Sequence, residues 1–288
     1  MSTSAVRRDH ISNSYKQLNE DICGHSGSRF WMMDGATGLS EHQLFREGSD
    51  AYWLVQLYHA YFTNHDPGQA PLRCYVKDAI ASVTAQATDI RALDDIPAYA
   101  LPTSALFFCD VREDRLRYLQ LGDCKCVVAS RGETRLIGES KLEDLDALAL
   151  DRLDELQKCG MHDGRDLWNE LLPLLKQNRS MANRSDGYWI LGFDGSAADH
   201  AVQGEIEVAP GDRLLLMTDG YTRLFDVFEA ATVDNILDLS ITTGLSEMIK
   251  RLRALEAGDP ECAIFPRIRC HDDASALLID ITETAVEP

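Results

Sequence analysis

The sequence predicts an α+β fold: an antiparallel β-sandwich flanked by helices. Three observations lead there. Short runs rich in Val, Leu, Phe and Tyr are too numerous for one small sheet, and turn residues punctuate them. Helical stretches come in blocks rather than alternating one for one with strands, which argues against a βαβ layout. Apolar runs also lead into, or out of, aspartate-bearing turns at three distant places: "RFWMMDGATG" at 29–38, "RLLLMTDGY" at 213–221 and "CHDDAS" at 270–275.

Taken in order, the first run is a strand carrying Asp34 out of the core. Two helices follow. Leu54, Leu57, Tyr58 and Tyr61 fall at i, i+3, i+4, i+7, and Val76, Ile80, Val83, Ala87 and Ile90 repeat the pattern. Asp66-Pro67-Gly68 is the turn between them. After Pro102, "SALFFCDV", "RLRYLQLGD", "CKCVVAS" and "TRLIGE" read as an antiparallel meander. Residues 141 to about 182 return to helix, with Leu142, Leu145, Ala149, Leu153 and Leu156 on one face. Gly160 ends that piece, and Pro173 is expected to interrupt the next. Strands resume at "GYWIL" (187–191) and through 204–220, where Pro-Gly-Asp is read as a hairpin-like turn. A last helix carries Leu245, Met248, Ile249 and Leu252, and "ASALLIDI" (274–281) is the final strand. The expectation is a single domain over 1–288 with a helical insertion at about 141–182.

Composition narrows the function. The chain has 47 acidic and 28 basic residues, a formal net charge of −19. Nucleic acid and anionic membrane surfaces call for clustered Lys and Arg, so neither is an expected partner. Eight cysteines form no CxxC pair, and several lie in apolar runs, which fits buried reduced thiols and a cytoplasmic protein. Cys124 and Cys126 alternate along one strand and so face the same side. The first residues have no apolar core of a secretory signal, and no run approaches the roughly 20 apolar residues of a membrane span.

The three acids carry the functional signal. Any one of them alone is an ordinary turn residue. On similar apolar stems, Asp34, Asp219 and Asp272 are expected to meet at one edge of the sheets. Carboxylate and carbonyl oxygens are what Mg2+ and Mn2+ prefer, and clustered acids repel unless a cation joins them.

Five motifs in order then resemble the metal-dependent Ser/Thr protein phosphatases of the PPM, or type 2C, family in its bacterial form. They are "KQLNEDICG" (16–24), "MMDGATG" (32–38), "PTSALFFCDV" with "LRYLQLGDCKC" (102–126), "LLLMTDGYTRLFD" (214–226) and "HDDASALLI" (271–279). The resemblance implies a β-sandwich flanked by helices, with two Mn2+ or Mg2+ ions at one end. Asp34 would bridge the ions, the Gly35 carbonyl would bind the second, and Asp219 and Asp272 the first. Glu20 and Asp21 would sit beside them, ligating directly or through water. Asp123 would be structural. The substrate would be a phosphoprotein, attacked by a hydroxide bridging two ions about 4 Å apart.

Departures are also legible. Lys16 stands where the family has a phosphate-gripping Arg, and it is expected to bind the substrate phosphate as a catalytic-site residue, with less orientation than an Arg would give. Arg223 stands where a second acid follows Asp-Gly, and "IGESKLEDLD" (137–146) offers no clear acid for a third ion. A catalytically weak, phosphatase-like module that binds a phosphoprotein or partner is therefore the alternative. A haloacid-dehalogenase-like reading fails, because its nucleophilic Asp would fall at Met32.

Overall fold

The computed structural model describes residues 3–45 and 48–283. Its strands form two five-stranded sheets, and every pairing is antiparallel. One sheet runs β1 (Thr3–Asn13), β10 (Ala274–Glu283), β9 (Arg213–Met217), β6 (Lys125–Ser130), β7 (Glu133–Ile137). The other runs β2 (Asp21–Ser26), β3 (Arg29–Ala36), β4 (Thr103–Arg112), β5 (Arg115–Leu121), β8 (Val202–Glu207). The predicted sandwich is therefore present.

The period-two geometry of a strand explains the layers. Phe30 and Met32 of β3 point between the sheets, where they meet Phe107, Cys126, Leu216 and Leu277. Trp31 and Met33 point outward and pack under α1 (Asp50–Asn64) and α2 (Leu72–Ile90). Trp31 lies parallel to Phe108 at 6.2 Å, and both are fully buried. On the far side, Leu215, Met217 and Leu278 pack under α6 (Asp219–Asp226), α7 (Val233–Thr243) and α8 (Leu245–Gly258). Central strands are thus covered on both faces, so their sequences are continuous apolar runs. Each large side chain removed from water contributes about 1.5–3 kcal/mol. Cys124 and Cys126 both face the inter-sheet core, as their alternation implies. Among the described residues no helix is long and apolar enough to cross a membrane.

Several expectations are corrected. The meander divides between the sheets: β4–β5 and β6–β7 are hairpins, but β5 and β6 lie in opposite layers. Gly122 makes that corner at φ +74°, with Ala105 so near that a Cβ would lie 2.8 Å from it. Pro-Gly-Asp likewise joins β8 to β9 across the sheets and is no hairpin. Asp212 ties it, accepting from the Ala209 N–H at 2.8 Å and the Ser130 hydroxyl at 2.7 Å. "GYWIL" forms no strand; it meets β4 only through the reciprocal Ser104–Leu191 bonds of 2.8 and 3.0 Å.

The helical segment consists of α3 (Leu142–Lys158) and α4 (Gly164–Arg179), and α4 continues through Pro173. Pro173 and Asn169 are both exposed, so water can satisfy the carbonyl that proline's missing N–H leaves without a partner. Ile90 is 45% exposed at the end of α2 and does not join the buried face. A short helix, α5 (Ser196–Asp199), packs on α2.

Candidate active site

The acids collect at one end of the sandwich because strands of both sheets stop there. Asp34 is the sixth residue of β3 and pairs in register with Asp21 of β2 and Ala105 of β4. Asp219 follows β9 and opens α6, where free helical N–H groups favour a carboxylate. Asp272 lies two residues before β10, and Asp123 sits at the corner between β5 and β6. All four line one cavity of about 810 Å³. The backbone is pinned around them. The Thr218 N–H donates to the Ser275 carbonyl (3.1 Å), and the Gly35 N–H donates to the Glu20 carbonyl (3.0 Å).

Like charge dominates the electrostatics. Burial pushes the Asp34 carboxyl well above the usual carboxylate range, and Asp21, Asp219 and Asp123 push it further. The Asp219 carboxyl is within hydrogen-bonding reach of it. Asp21 is raised by burial and then by Asp219 and Asp273. Its Oδ2 accepts from the Thr218 hydroxyl at 2.9 Å, while its Oδ1 is buried without a partner.

The sequence-predicted residues are not all equally available. Glu20 is occupied: it accepts from the Lys16 ammonium (2.8 Å), the Thr37 hydroxyl (2.6 Å) and the Ser49 hydroxyl. Lys16 also lies 3.6 Å from Asp273, so its charge faces two acids. Asp273 turns inward, accepting from the Ser14 hydroxyl (2.6 Å) and the Glu20 N–H (2.9 Å). Asp272 reaches the cavity but is bonded to the Arg223 guanidinium at 2.9 Å.

Among the described residues, no three His, Cys, Asp or Glu side chains converge closely enough to cage an ion. The expected meeting of Asp34, Asp219 and Asp272 is therefore a shared cavity rather than a shared point. Asp272 is ion-paired with Arg223 at 2.9 Å. The donor set nonetheless suits a hard divalent cation, given the bare Asp21 Oδ1 and the abutting carboxylates of Asp34 and Asp219.

Solved structures share this architecture along nearly the whole chain. The catalytic domain of the serine/threonine phosphatase PstP, in complex with two manganese ions, aligns with 98% of this chain and 100% of its own, at 15% identity and TM-score 0.54. PppA of Pseudomonas aeruginosa covers 98% of each chain at 15% identity and TM-score 0.56. The PPM Ser-Thr phosphatase MsPP from Mycobacterium smegmatis covers 97% of this chain and 98% of its own, at 17% identity and TM-score 0.51. The chain has the PPM phosphatase fold. No protein-family model matches it, and no curated protein matches it in sequence.

On this PPM fold, five acids that sequence reasoning did not place at the site line the cavity: Asp123, Glu143, Asp146, Asp226 and Asp273. Asp123, expected to be structural, faces Asp219 inside it. Asp146 of α3 reaches the exposed rim from the stretch 137–146, which had offered no clear acid. The signal for Asp146 was faint, since it is one of several acids on an amphipathic helix. Helices α3 and α4 also form a wall. Arg179 donates to the carbonyls of Ala36 and Thr37 (3.0 Å each) and to the Thr103 hydroxyl (3.1 Å). Helix α4 therefore holds the loop that follows Asp34.

The crowding has a measurable sign. Burial first, then the charge of Asp219, pushes Asp123 up to about 8. The same two causes push Asp272 up to about 6, against the opposing pull of Arg223, Arg269 and Lys16. In the unfolded chain aspartates titrate near ~4. From about pH 4 to 8 the folded protein therefore holds protons that the unfolded chain has lost. Stability is highest at the low end and is lost as pH rises through about 6 and about 8. Melts in EDTA should show Tm falling between about pH 5 and 8.5, and Mn2+ should flatten the slope. A metal-free Tm that rises over this range would contradict the assignment of these groups.

Proposed function

We propose that this chain is a metal-dependent phosphatase that hydrolyses phosphoserine and phosphothreonine in proteins. The observation that supports it best is the gathering of Asp34, Asp123, Asp219 and Asp272, from both sheets, around one cavity of a PPM fold. Asp34, Asp219, Asp272 and the Gly35 carbonyl are the proposed ligands of two Mn2+ or Mg2+ ions. Asp21 stands next to them with its bare oxygen. When bound, such ions supply an acidified water for attack on phosphorus and positive charge to the phosphoryl oxygens. The protein contributes placement. Strand ends fix Asp34 and Asp219, Lys16 holds Glu20, and Arg179 holds the loop after Gly35. The proposed setting is the cytoplasm, where the free cysteines stay reduced.

The test is phosphate release from a phosphoserine peptide with Mn2+, with Mg2+ and with EDTA. Turnover should require an added ion and vanish in EDTA. An undiminished rate in EDTA, or none with either ion, would end this reading. One observation favours the second reading, a module that binds phosphoproteins without turnover: Arg223 supplies a cation where the family pattern has an acid, and it already holds Asp272. Its mark would be phosphopeptide binding with no release of phosphate.

A further inference from the structure

Nine carboxylate side chains and six cationic ones line the cavity, so the side chains alone repel an arriving phosphate, and any side-chain grip on it needs a cation not already committed to an acid. Five of the six are engaged. Lys16 faces Glu20 and Asp273 at 2.8 and 3.6 Å. Lys125 pairs with Glu143 at 2.7 Å. Arg223 pairs with Asp272 and Glu256 at 2.9 and 3.3 Å. Arg179 is directed at backbone carbonyls. Arg267 is bonded to Asp259 at 2.8 Å. Arg269 is the sixth. Its side chain donates no hydrogen bond and makes no ion pair among the described residues, and it is exposed at the rim.

Its loop is firmly held. The buried Arg267 donates to the Cys270 carbonyl (3.1 Å), the Phe265 carbonyl (2.7 Å) and the Asp259 carbonyl (2.6 Å). The Asp259 carboxylate accepts from the N–H groups of Ala263, Ile264 and Phe265 at 2.9, 3.1 and 3.0 Å. The Arg269 carbonyl itself accepts from Arg223 at 3.5 Å. The anchored backbone fixes where the side chain starts, and the planar guanidinium fork can hold two phosphate oxygens.

We propose that Arg269 is the residue that grips the substrate's phosphate, in place of Lys16. The assignment rests on the phosphatase reading above. It moves the phosphate contact from the segment before β2 to the loop before β10, on the Asp272 side of the cavity. Lys16 then serves to position Glu20.

The experiment compares wild type, Arg269→Gln, Arg269→Lys and Lys16→Gln, each with Mn2+. Two quantities are read: the Kd for a peptide carrying a non-hydrolysable phosphonate analogue of phosphoserine, and kcat and KM on the phosphopeptide. Arg269→Gln should raise Kd and KM roughly ten- to a hundredfold while kcat stays within a few fold, and Arg269→Lys should recover part of the loss. Lys16→Gln should change Kd less than Arg269→Gln does. Wild-type Kd in Arg269→Gln, a larger loss in Lys16→Gln, or no phosphonate binding by wild type would each overturn the assignment. Weakened binding in Arg269→Gln with no turnover by any protein would uphold Arg269 as the phosphate contact. It would also reject the phosphatase reading, so the two failures are distinguishable.

Discussion

Asp34→Asn is expected to lower phosphopeptide turnover by roughly a thousandfold or more while leaving the fold intact. Asp34 feels three acids at once, Asp21, Asp219 and Asp123. An amide keeps its shape and one acceptor oxygen but loses the charge a divalent ion needs. The same change relieves repulsion in the metal-free protein. In EDTA, therefore, the variant should melt at or above the wild-type temperature. Calorimetric Mn2+ titration should show weakened binding. Turnover near the wild-type level in this variant would remove Asp34 from the site, whatever the fold.

The second large effect is expected at Gly220. A Cβ there would lie 1.9 Å from the Asp273 carbonyl oxygen, a backbone atom that has no flexible side chain to move aside. The start of α6 and the segment entering β10 approach this closely because Asp219 and Asp272 must reach the same cavity. Gly220→Ala should force the two apart and cost about 3 kcal/mol or more. Activity should fall further than the unfolded fraction accounts for, since both acids move. Chemical denaturation measures the first effect, and turnover per folded molecule the second. An unchanged midpoint with full activity would show that the close approach is not needed.

Much of the fold was legible because its central strands are apolar on both faces. Trp31, Phe107 and Leu215 announced themselves, as did the helical faces around Leu54 and Ile80. What stayed hidden is polar or lies at an edge. Strand β1 carries Arg7, Arg8, Asp9 and His10, has a bulge between Arg7 and Asp9, and pairs on one side only. Its alternation is too weak to stand out. Helix α7, separated from α8 by Gly244 alone, was not read, although the Thr232–Asn235 capping box marks its start. The changes of sheet at Gly122 and at Pro-Gly-Asp are tertiary facts, and local turn chemistry reads the same in either case. At the site, Asp34, Asp219 and Asp272 were legible as acids on apolar stems. Their spacing was not, and neither was the pairing of Asp272 with Arg223 across 49 residues of sequence. The occupation of Lys16 and Glu20 by one another was equally invisible, since no pattern distinguishes a paired lysine from an open one.

The pairing of β1 with β10 carries a consequence for biosynthesis. The Ser12 and Ser275 hydroxyls touch at 2.6 Å although 263 residues separate them. On a ribosome adding about 5–20 residues per second, the first strand waits on the order of tens of seconds for its neighbour. During that interval its edge is bare and open to wrong partners or to a chaperone. Asp272 is also made late, immediately ahead of β10. The nascent chain therefore cannot assemble the full acid cluster until β10 is about to be synthesised, and a product terminated before residue 272 would lack it.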